Sequence, residues 1–184
     1  MTSVDPLTEY MLESERNLRL AEATWRRYEA AREQIMSGFF KRLTLRLTQS
    51  LPGWKSRYDE LFFVAEYSAC DVWNPAWEEQ YFLRLEAWKN GDRIIYGIWR
   101  DEDKLRNRPR SDTLLHAVQK EHPSAKSRIY YEAELTIHSP APDWRQPAVL
   151  WRIHQDPRFL EDVADQLLEL AKLTDKQVKA LAKK

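Results

Sequence analysis

Acidic and imidazole side chains collect on one face of a predicted β-sheet. Strands expected over residues 81–88, 128–138 and 148–154 bring together Arg84, Glu86, Glu132, Glu134, His138, Arg152 and His154, and Glu66 joins them if the strand over 61–70 is a neighbour. Carboxylates and imidazoles around an open position are the ligands of metal-dependent hydrolases, so the catalytic candidates are Glu86, Glu132, Glu134 and His138. The same composition is typical of the solvated face of an antiparallel sheet, and this simpler interpretation is favoured.

Asp71, Glu86 and Lys89 come nearest to a nuclease motif. A metal-dependent nuclease of the PD-(D/E)XK type sets its second acid and its lysine two residues apart, on one side of a strand. Here Glu86 and Lys89 are three residues apart, so their side chains point to opposite sides of a regular strand. The spacing therefore argues against this activity.

The sequence contains no standard nucleophile or cofactor motif. It has no G-x-S-x-G element and no H-E-x-x-H spacing, and its four glycines form no phosphate-binding loop. Cys70 is the one thiol and we expect it to be buried at a strand end, although a neighbouring His138 or His154 would make it a nucleophile. We expect no cofactor. The missing motifs argue against an enzyme but do not exclude one.

A basic loop follows the predicted hairpin. It carries Trp99, Arg100, Lys104, Arg106, Arg108 and Arg110, which suit phosphate contacts and the stacking of a base. The acidic run Asp101–Asp103 reduces the positive electrostatic potential of the loop, so a solvated loop is favoured over a nucleic-acid site. The chain as a whole has 29 basic and 29 acidic residues, which argues against binding by bulk charge.

Tryptophan is unusually frequent, with eight residues in 184. Trp73, Trp77 and Trp144 fall in connections rich in asparagine and proline. Aromatic side chains on loops are enriched at protein interfaces, and they equally close the ends of sheets. Both interpretations stay open at this stage, as does a small-ligand pocket lined by tryptophan.

The N-terminus predicts a long helical arm over residues 1–36. Asp5-Pro6 is a helix start, and no glycine or further proline follows before Met36. Two heptad series run along it, Met11, Leu18 and Trp25 and, offset by three, Ala21, Tyr28 and Ile35. Such a helix is roughly 48 Å long, which exceeds the diameter of about 38 Å expected for the rest of the chain. A docking arm, with Met11, Leu18, Trp25 and Tyr28 as contacts, and a helix packed on its own domain are both open.

The remaining residues, 37–184, predict one α+β domain. Ser37-Gly38 interrupts the helical pattern, and a second helix with an apolar side follows: Phe39, Phe40, Leu43, Leu47 and Leu51. Asn90-Gly91 predicts a two-residue hairpin turn, and its register pairs Ala87 with Ile94, Leu85 with Tyr96 and Leu83 with Ile98.

Helix signals complete the domain. Ser111 can cap a short helix, Asp156-Pro157 opens a leucine-rich one, and Thr174 with Gln177 predicts a capping box for a separate last turn. The element order indicates a mostly antiparallel sheet of about five strands covered by helices. No apolar run approaches the ~18 residues of a membrane span, and we expect a cytoplasmic protein without a membrane partner.

The runs Tyr81-Phe-Leu-Arg-Leu-Glu86 and Ile94-Ile-Tyr-Gly-Ile-Trp99, with Trp151 before Asp156-Pro157 and the closing helix, resemble a known pattern. They are similar to the C-terminal accessory module of large uncharacterised bacterial proteins that carry a PD-(D/E)XK nuclease domain. The resemblance covers roughly residues 36–173 and implies a bacterial or phage source. The nuclease motif has no match here, so it implies no catalytic residue.

These patterns favour a non-enzymatic interaction or regulatory protein. Its partner, or a second copy, would contact the heptad-like helix and the tryptophan-rich loops. The alternative is a nucleic-acid-binding protein or a metal-dependent hydrolase that uses the acidic sheet face.

Overall fold

The chain folds into helices packed on one antiparallel sheet, as predicted. The computed structural model describes residues 5–58, 67–88 and 93–183. Its helices are α1 (Pro6–Leu12), α2 (Glu15–Ser50), α3 (Glu102–Leu105), α4 (Asp112–Glu121), α5 (Pro147–Gln155) and α6 (Pro157–Ala182). Its strands are β1 (Lys55–Tyr58), β2 (Tyr67–Trp73), β3 (Tyr81–Trp88), β4 (Arg93–Arg100), β5 (Lys126–Arg128) and β6 (Tyr131–Thr136).

The sheet runs in the order β1-β2-β3-β4-β6-β5, and every neighbouring pair is antiparallel. The hairpin register is confirmed, because Ala87 pairs with Ile94 and Leu85 pairs with Tyr96. The predicted Asn90-Gly91 turn, like Lys89 and Glu66, lies outside the described residues.

The helices cover one side of the sheet, which we call the helix face. On it α2 packs against β1 and β2, α6 against β3 and β4, and α4 against β6. Strand residues pointing to this side are buried in a single core, among them Val72, Leu83, Leu85, Ile98 and Leu135. The opposite side, which we call the open face, carries Asp71, Arg84, Glu86, Gly97 and Glu134. No described helix is long and apolar enough to span a bilayer.

Helix α2 passes through Ser37-Gly38 without a break, so the predicted interruption is wrong. A glycine inside a helix costs only about 1 kcal/mol relative to alanine. Immediately after it, the predicted apolar side packs into the core, with Phe39, Phe40 and Leu43 fully buried. Their burial outweighs the glycine penalty and keeps the helix continuous.

Residues 147–155 form helix α5, so the predicted strand over 148–154 is wrong. The sequence alternates Val149, Trp151 and Ile153, but the buried residues are Val149, Leu150 and Ile153, which share one side of a helix. Trp151 is 65% exposed. Pro147 at the first turn favours the helix, and packing against α2 and α6 selects it.

The closing helix is confirmed, with Asp156 as its N-cap. It continues through Thr174, so the predicted capping box at Thr174 and Gln177 is wrong. The Thr174 hydroxyl is buried and donates to the carbonyl of Leu170 (2.6 Å), a bond made inside an intact helix.

Candidate functional site

The N-terminal arm is divided at Ser14. Asp5 caps α1 as predicted, accepting from the backbone N–H groups of Leu7 and Thr8. Ser14 has an extended backbone and caps α2, its hydroxyl accepting from Asn17 N–H (3.2 Å). The side-chain amide of Asn17 donates back to the Tyr10 carbonyl (2.7 Å). The chain therefore turns once between two capped helices, and α2 is the long N-terminal helix that was predicted.

The arm exposes large apolar side chains. No residue of α1 is buried, and the buried residues of α2 begin only at Arg32. Ten large apolar residues of the described chain are strongly exposed, and six of them lie between positions 7 and 25. We call these six the arm surface: Leu7, Tyr10, Leu12, Leu18, Leu20 and Trp25. Exposed large apolar side chains that lie together mark an interaction site. Leu18 and Trp25, seven residues apart, share one side of α2.

The two heptad series have different environments. Leu18 is 46% exposed and Trp25 61% exposed, whereas Met11 is half-buried. Tyr28 and Ile35 pack against the core, and the Tyr28 hydroxyl donates to the Arg145 carbonyl (3.3 Å). The second series therefore fastens the arm to its own domain and leaves part of the first exposed.

The loop tryptophans are interior residues, so their predicted role in partner binding is corrected. Trp77 and Trp144 are completely buried and Trp73 is 7% exposed. Trp77 donates through Nε1 to Asp175 (3.1 Å), and Trp144 donates to the Ala141 carbonyl (2.9 Å). A buried indole offers no surface to a partner, and these three close the ends of the helix layer and the sheet.

Carboxylates of the open face are held by arginines. Asp71 is buried and accepts two bonds from Arg84, from Nε to Oδ1 (2.7 Å) and from Nη2 to Oδ2 (2.9 Å). Arg57 adds a third, from Nε to Oδ2 (2.9 Å). Burial lowers the pKa of Arg84, but its bonds and attraction to Asp71 outweigh burial and raise that pKa above its ordinary value. The guanidinium therefore stays charged and lies over the Trp99 ring, 3.9 Å from its centroid.

Glu86 and Tyr131 form a buried pair on this face. The Tyr131 hydroxyl donates to Glu86 Oε2 (2.9 Å). Burial raises the pKa of Tyr131 well above its ordinary value, and the charge of Glu86 acts in the same direction. The phenol therefore stays protonated as a hydrogen-bond donor.

A β-bulge separates Glu132 from the other acidic candidates. Ile98 pairs with Ala133 but Trp99 pairs with Tyr131, so Glu132 is an extra residue in β6. The bulge turns Glu132 to the helix face, where its Oε1 accepts from Arg100 Nη1 (2.9 Å). The prediction that Glu132 lies beside Glu86 and Glu134 is therefore wrong.

The histidines also leave the predicted cluster. His138 is exposed beyond the end of β6, and Arg152 and His154 belong to α5 rather than to the sheet. Within the described ranges, no three His, Cys, Asp or Glu side chains are placed to hold a metal ion. Of the four residues named for metal-dependent hydrolysis, Glu86 and Glu134 share the open face, whereas Glu132 and His138 lie elsewhere.

Arg100 is an internal residue, which corrects its predicted place in a nucleic-acid site. It is 2% exposed and pairs with Glu132 and with Glu102 (Nε to Oε1, 3.0 Å). Its Nη2 donates to the carbonyls of Leu105 (2.6 Å) and Arg108 (3.0 Å). This guanidinium therefore organises the loop from inside.

Most other cations of the basic loop contact this chain. Arg108 donates to Gln80 (3.1 Å), Arg110 to the Ile129 carbonyl (2.7 Å) and Lys104 to the Glu79 carbonyl (2.9 Å). Arg106 is exposed. These contacts make the loop part of the fold, whereas the sequence favoured a solvated loop.

Cys70 is buried on the helix face, beside the Thr44 hydroxyl (3.3 Å). Burial raises the pKa of its thiol to about 12. A thiol in that environment is not a nucleophile at neutral pH, as was favoured from the sequence.

A pocket of about 690 Å³ opens on the open face. Glu86, Tyr131 and Glu134 form its buried floor, and Arg84 and Trp99 form one wall. Its rim carries Arg93, Arg128, Ile129 and Tyr130, which are all partly or largely exposed. Trp99, Arg84 and the two glutamates were among the residues named from the sequence. The rim residues were not, because only the register of β4, β5 and β6 brings those strands together.

Comparisons with known proteins identify no relative. No family model matches the chain, and no curated protein and no solved structure matches it significantly. The resemblance to a nuclease accessory module stays a prediction.

Proposed function

We propose that this chain is a non-enzymatic interaction protein whose N-terminal arm pairs with the arm of a second copy. The observation that carries the proposal is the arm surface, in which six of the ten strongly exposed large apolar residues of the described chain fall within positions 7–25. Burial of such side chains is the main driving force of protein association. The proposal includes a cytoplasmic location and a bacterial or phage source.

The charge pattern of the arm favours a second copy as the partner. Residues 5–15 carry four carboxylates and no basic side chain, whereas residues 16–27 carry four arginines and one glutamate. Two of the arginines already pair with glutamates on the same helix, in the exposed Glu15–Arg19 and Glu22–Arg26 pairs. An acidic α1 and a basic start of α2 are complementary between two copies, which fixes the orientation of pairing.

The arm is fixed to the rest of the chain at its C-terminal end. Tyr28 and Ile35 pack on the core, and α2 continues through Gly38 into its buried half. A preorganised helix loses less conformational entropy on pairing than a disordered tail. Removal of residues 1–36 would delete the fully buried Met36, so point substitutions are the cleaner test.

The test compares the solution mass of two double variants by light scattering. Leu18→Glu with Trp25→Glu places charges on the arm surface and is expected to give a monomer. The matched control is Leu45→Glu with Trp151→Glu, which changes the same residue types at positions that are 58% and 65% exposed outside the arm. The control is expected to keep the mass of the unmodified chain.

Circular dichroism establishes that both variants keep their helices. An arm variant that is folded and still dimeric would overturn the proposal. A control variant that dissociates equally well would also overturn it, since the contact would then not lie on the arm.

A further inference from the structure

The floor of the open-face pocket is buried and hydrogen-bonded. Tyr131, Glu86 and Glu134 are each at most 8% exposed, and the Tyr131 hydroxyl is bonded to Glu86. A β-carbon built on Gly97 would lie 3.0 Å from Cδ1 of the Tyr131 ring, so this glycine leaves room for the ring. The floor therefore closes the pocket with an aromatic ring that is almost fully covered.

One wall adds a second aromatic surface. The Trp99 ring lies against the Phe82 ring, with centroids 5.5 Å apart, and under the Arg84 guanidinium. Because Arg84 is fixed by two bonds to Asp71, the indole and the guanidinium form one immobile block. Stacked arginine and tryptophan suit a planar, electron-rich ring.

The rim is positively charged. Arg93 Nη2 donates to Glu134 Oε1 (2.8 Å), and Arg128 Nε lies 3.6 Å from the same oxygen, which is too long for a hydrogen bond. Two guanidiniums, 41% and 52% exposed, therefore share one buried carboxylate. The Arg128 guanidinium is therefore placed to donate to an acidic group at the rim without displacing Glu134.

The rim also presents fixed apolar side chains. Ile129 is 66% exposed and Tyr130 is 51% exposed. Their backbone is anchored, because the Tyr130 carbonyl accepts from Arg100 N–H (3.0 Å) and the Ile129 carbonyl accepts from Arg110 (2.7 Å). The turn therefore holds both side chains at the mouth of the pocket.

We propose that this pocket binds a small molecule made of a planar aromatic ring and one acidic group, a carboxylate or a phosphate. The ring lies between Trp99 and Tyr130, and the acidic group meets Arg128. A volume of about 690 Å³ is that of a small-ligand site. The binding of a single-stranded nucleic acid instead needs a groove with several successive stacking positions.

Calorimetry tests the proposal with three probes that share one ring system: naphthoate, naphthyl phosphate and naphthylmethylammonium. Each is titrated into the unmodified full chain. At least one of the two anions is expected to bind about tenfold or more tightly than the cation, because only an anion accepts a charge-assisted hydrogen bond from Arg128. Binding of only one anion supports the proposal and identifies the acidic group.

Two rim variants locate the site. Arg128→Gln and Tyr130→Ala change exposed side chains, so both keep the fold, and each is expected to weaken anion binding about fivefold to tenfold. Arg106→Gln is the matched control, since it removes the same charge at an exposed position outside the pocket. The affinity of this variant for the anions is expected to equal that of the unmodified chain.

Three results would overturn the proposal. The first is equal binding of the anions and the cation, or no binding of any probe. The second is anion binding that neither rim variant weakens. The third is binding of a single-stranded oligonucleotide while both small anions fail, which would assign the open face to nucleic acid. None of these depends on whether the arm forms a dimer.

Discussion

Substitution of Glu132 by glutamine tests whether this carboxylate is structural. Glu132 is 1% exposed and bonds Arg100, which is 2% exposed. Removal of one member of a buried ion pair costs about 3–5 kcal/mol, because the other charge is left in the interior. Glu102 stays on Arg100 Nε, which places the expected loss at the lower end of that range, about 3 kcal/mol.

The matched control is Glu134→Gln, two positions along the same strand. Its partners Arg93 and Arg128 have side chains that are 41% and 52% exposed, so both return to water when the carboxylate charge is removed. Screened pairs of this kind contribute about 1 kcal/mol or less. Although the two glutamates are neighbours in the predicted site, the free energy of unfolding should therefore fall at least three times as much for Glu132→Gln as for Glu134→Gln.

Urea unfolding followed by circular dichroism measures the difference, with the slope of the transition unchanged. Thermal unfolding should show a midpoint lowered by roughly 6–12 °C for Glu132→Gln and by a few degrees at most for the control. Equal losses for the two variants would refute the argument that the bulge in β6 sends them to opposite faces.

Three further predictions concern a glycine, a thiol and a phenol. Gly97→Ala places a β-carbon 2.1 Å from the Ala133 carbonyl oxygen and should lower the free energy of unfolding by about 3 kcal/mol. Gly38→Ala lies inside α2 with open space around it and should raise that free energy by about 0.5–1 kcal/mol. Urea unfolding that shows the same sign for both variants would contradict the geometry. Cys70 should resist iodoacetamide at neutral pH in the folded chain and react fully in urea, as mass spectrometry would show, because burial raises the pKa of its thiol to about 12. Burial, together with the charge of Glu169, raises the pKa of Tyr96 from 10.0 to about 12, so its neutral form stabilises the fold. That contribution is complete below about pH 10 and is lost as the pH rises through about 12. Urea titrations should show the unfolding free energy falling across this interval, and a flat profile there would refute it.

Local sequence patterns predicted the structure correctly where only one arrangement of the chain fits the pattern. The alternation around Asn90-Gly91 sorts side chains correctly in only one register, and β3 and β4 pair in that register. Helix starts were equally clear, because Asp5, Ser111 and Asp156 each cap a helix with a side-chain oxygen.

Other features depend on tertiary contacts that a local pattern does not contain. Residues 148–154 fit a strand and a helix about equally, and packing against α2 and α6 selects the helix. The continuity of α2 through Gly38 has the same origin.

The candidate site depended on strand geometry even more strongly. One extra residue in β6 moves Glu132 to the helix face and brings Tyr131 to the floor of the pocket. A bulge has no sequence signal as clear as a hairpin turn, so regular alternation placed Glu132 on the wrong face. The buried tryptophans were ambiguous for a related reason, since an indole suits a core and an interface alike.

The most direct test of self-pairing through the arm is the mass of the unmodified full chain by sedimentation equilibrium over a range of concentrations. The proposed pairing predicts a species of about 44 kDa, twice the 22.0 kDa of one chain, that dissociates on dilution. A mass of 22.0 kDa at every concentration would contradict it, and the arm surface would then not be an interface between two copies of this chain.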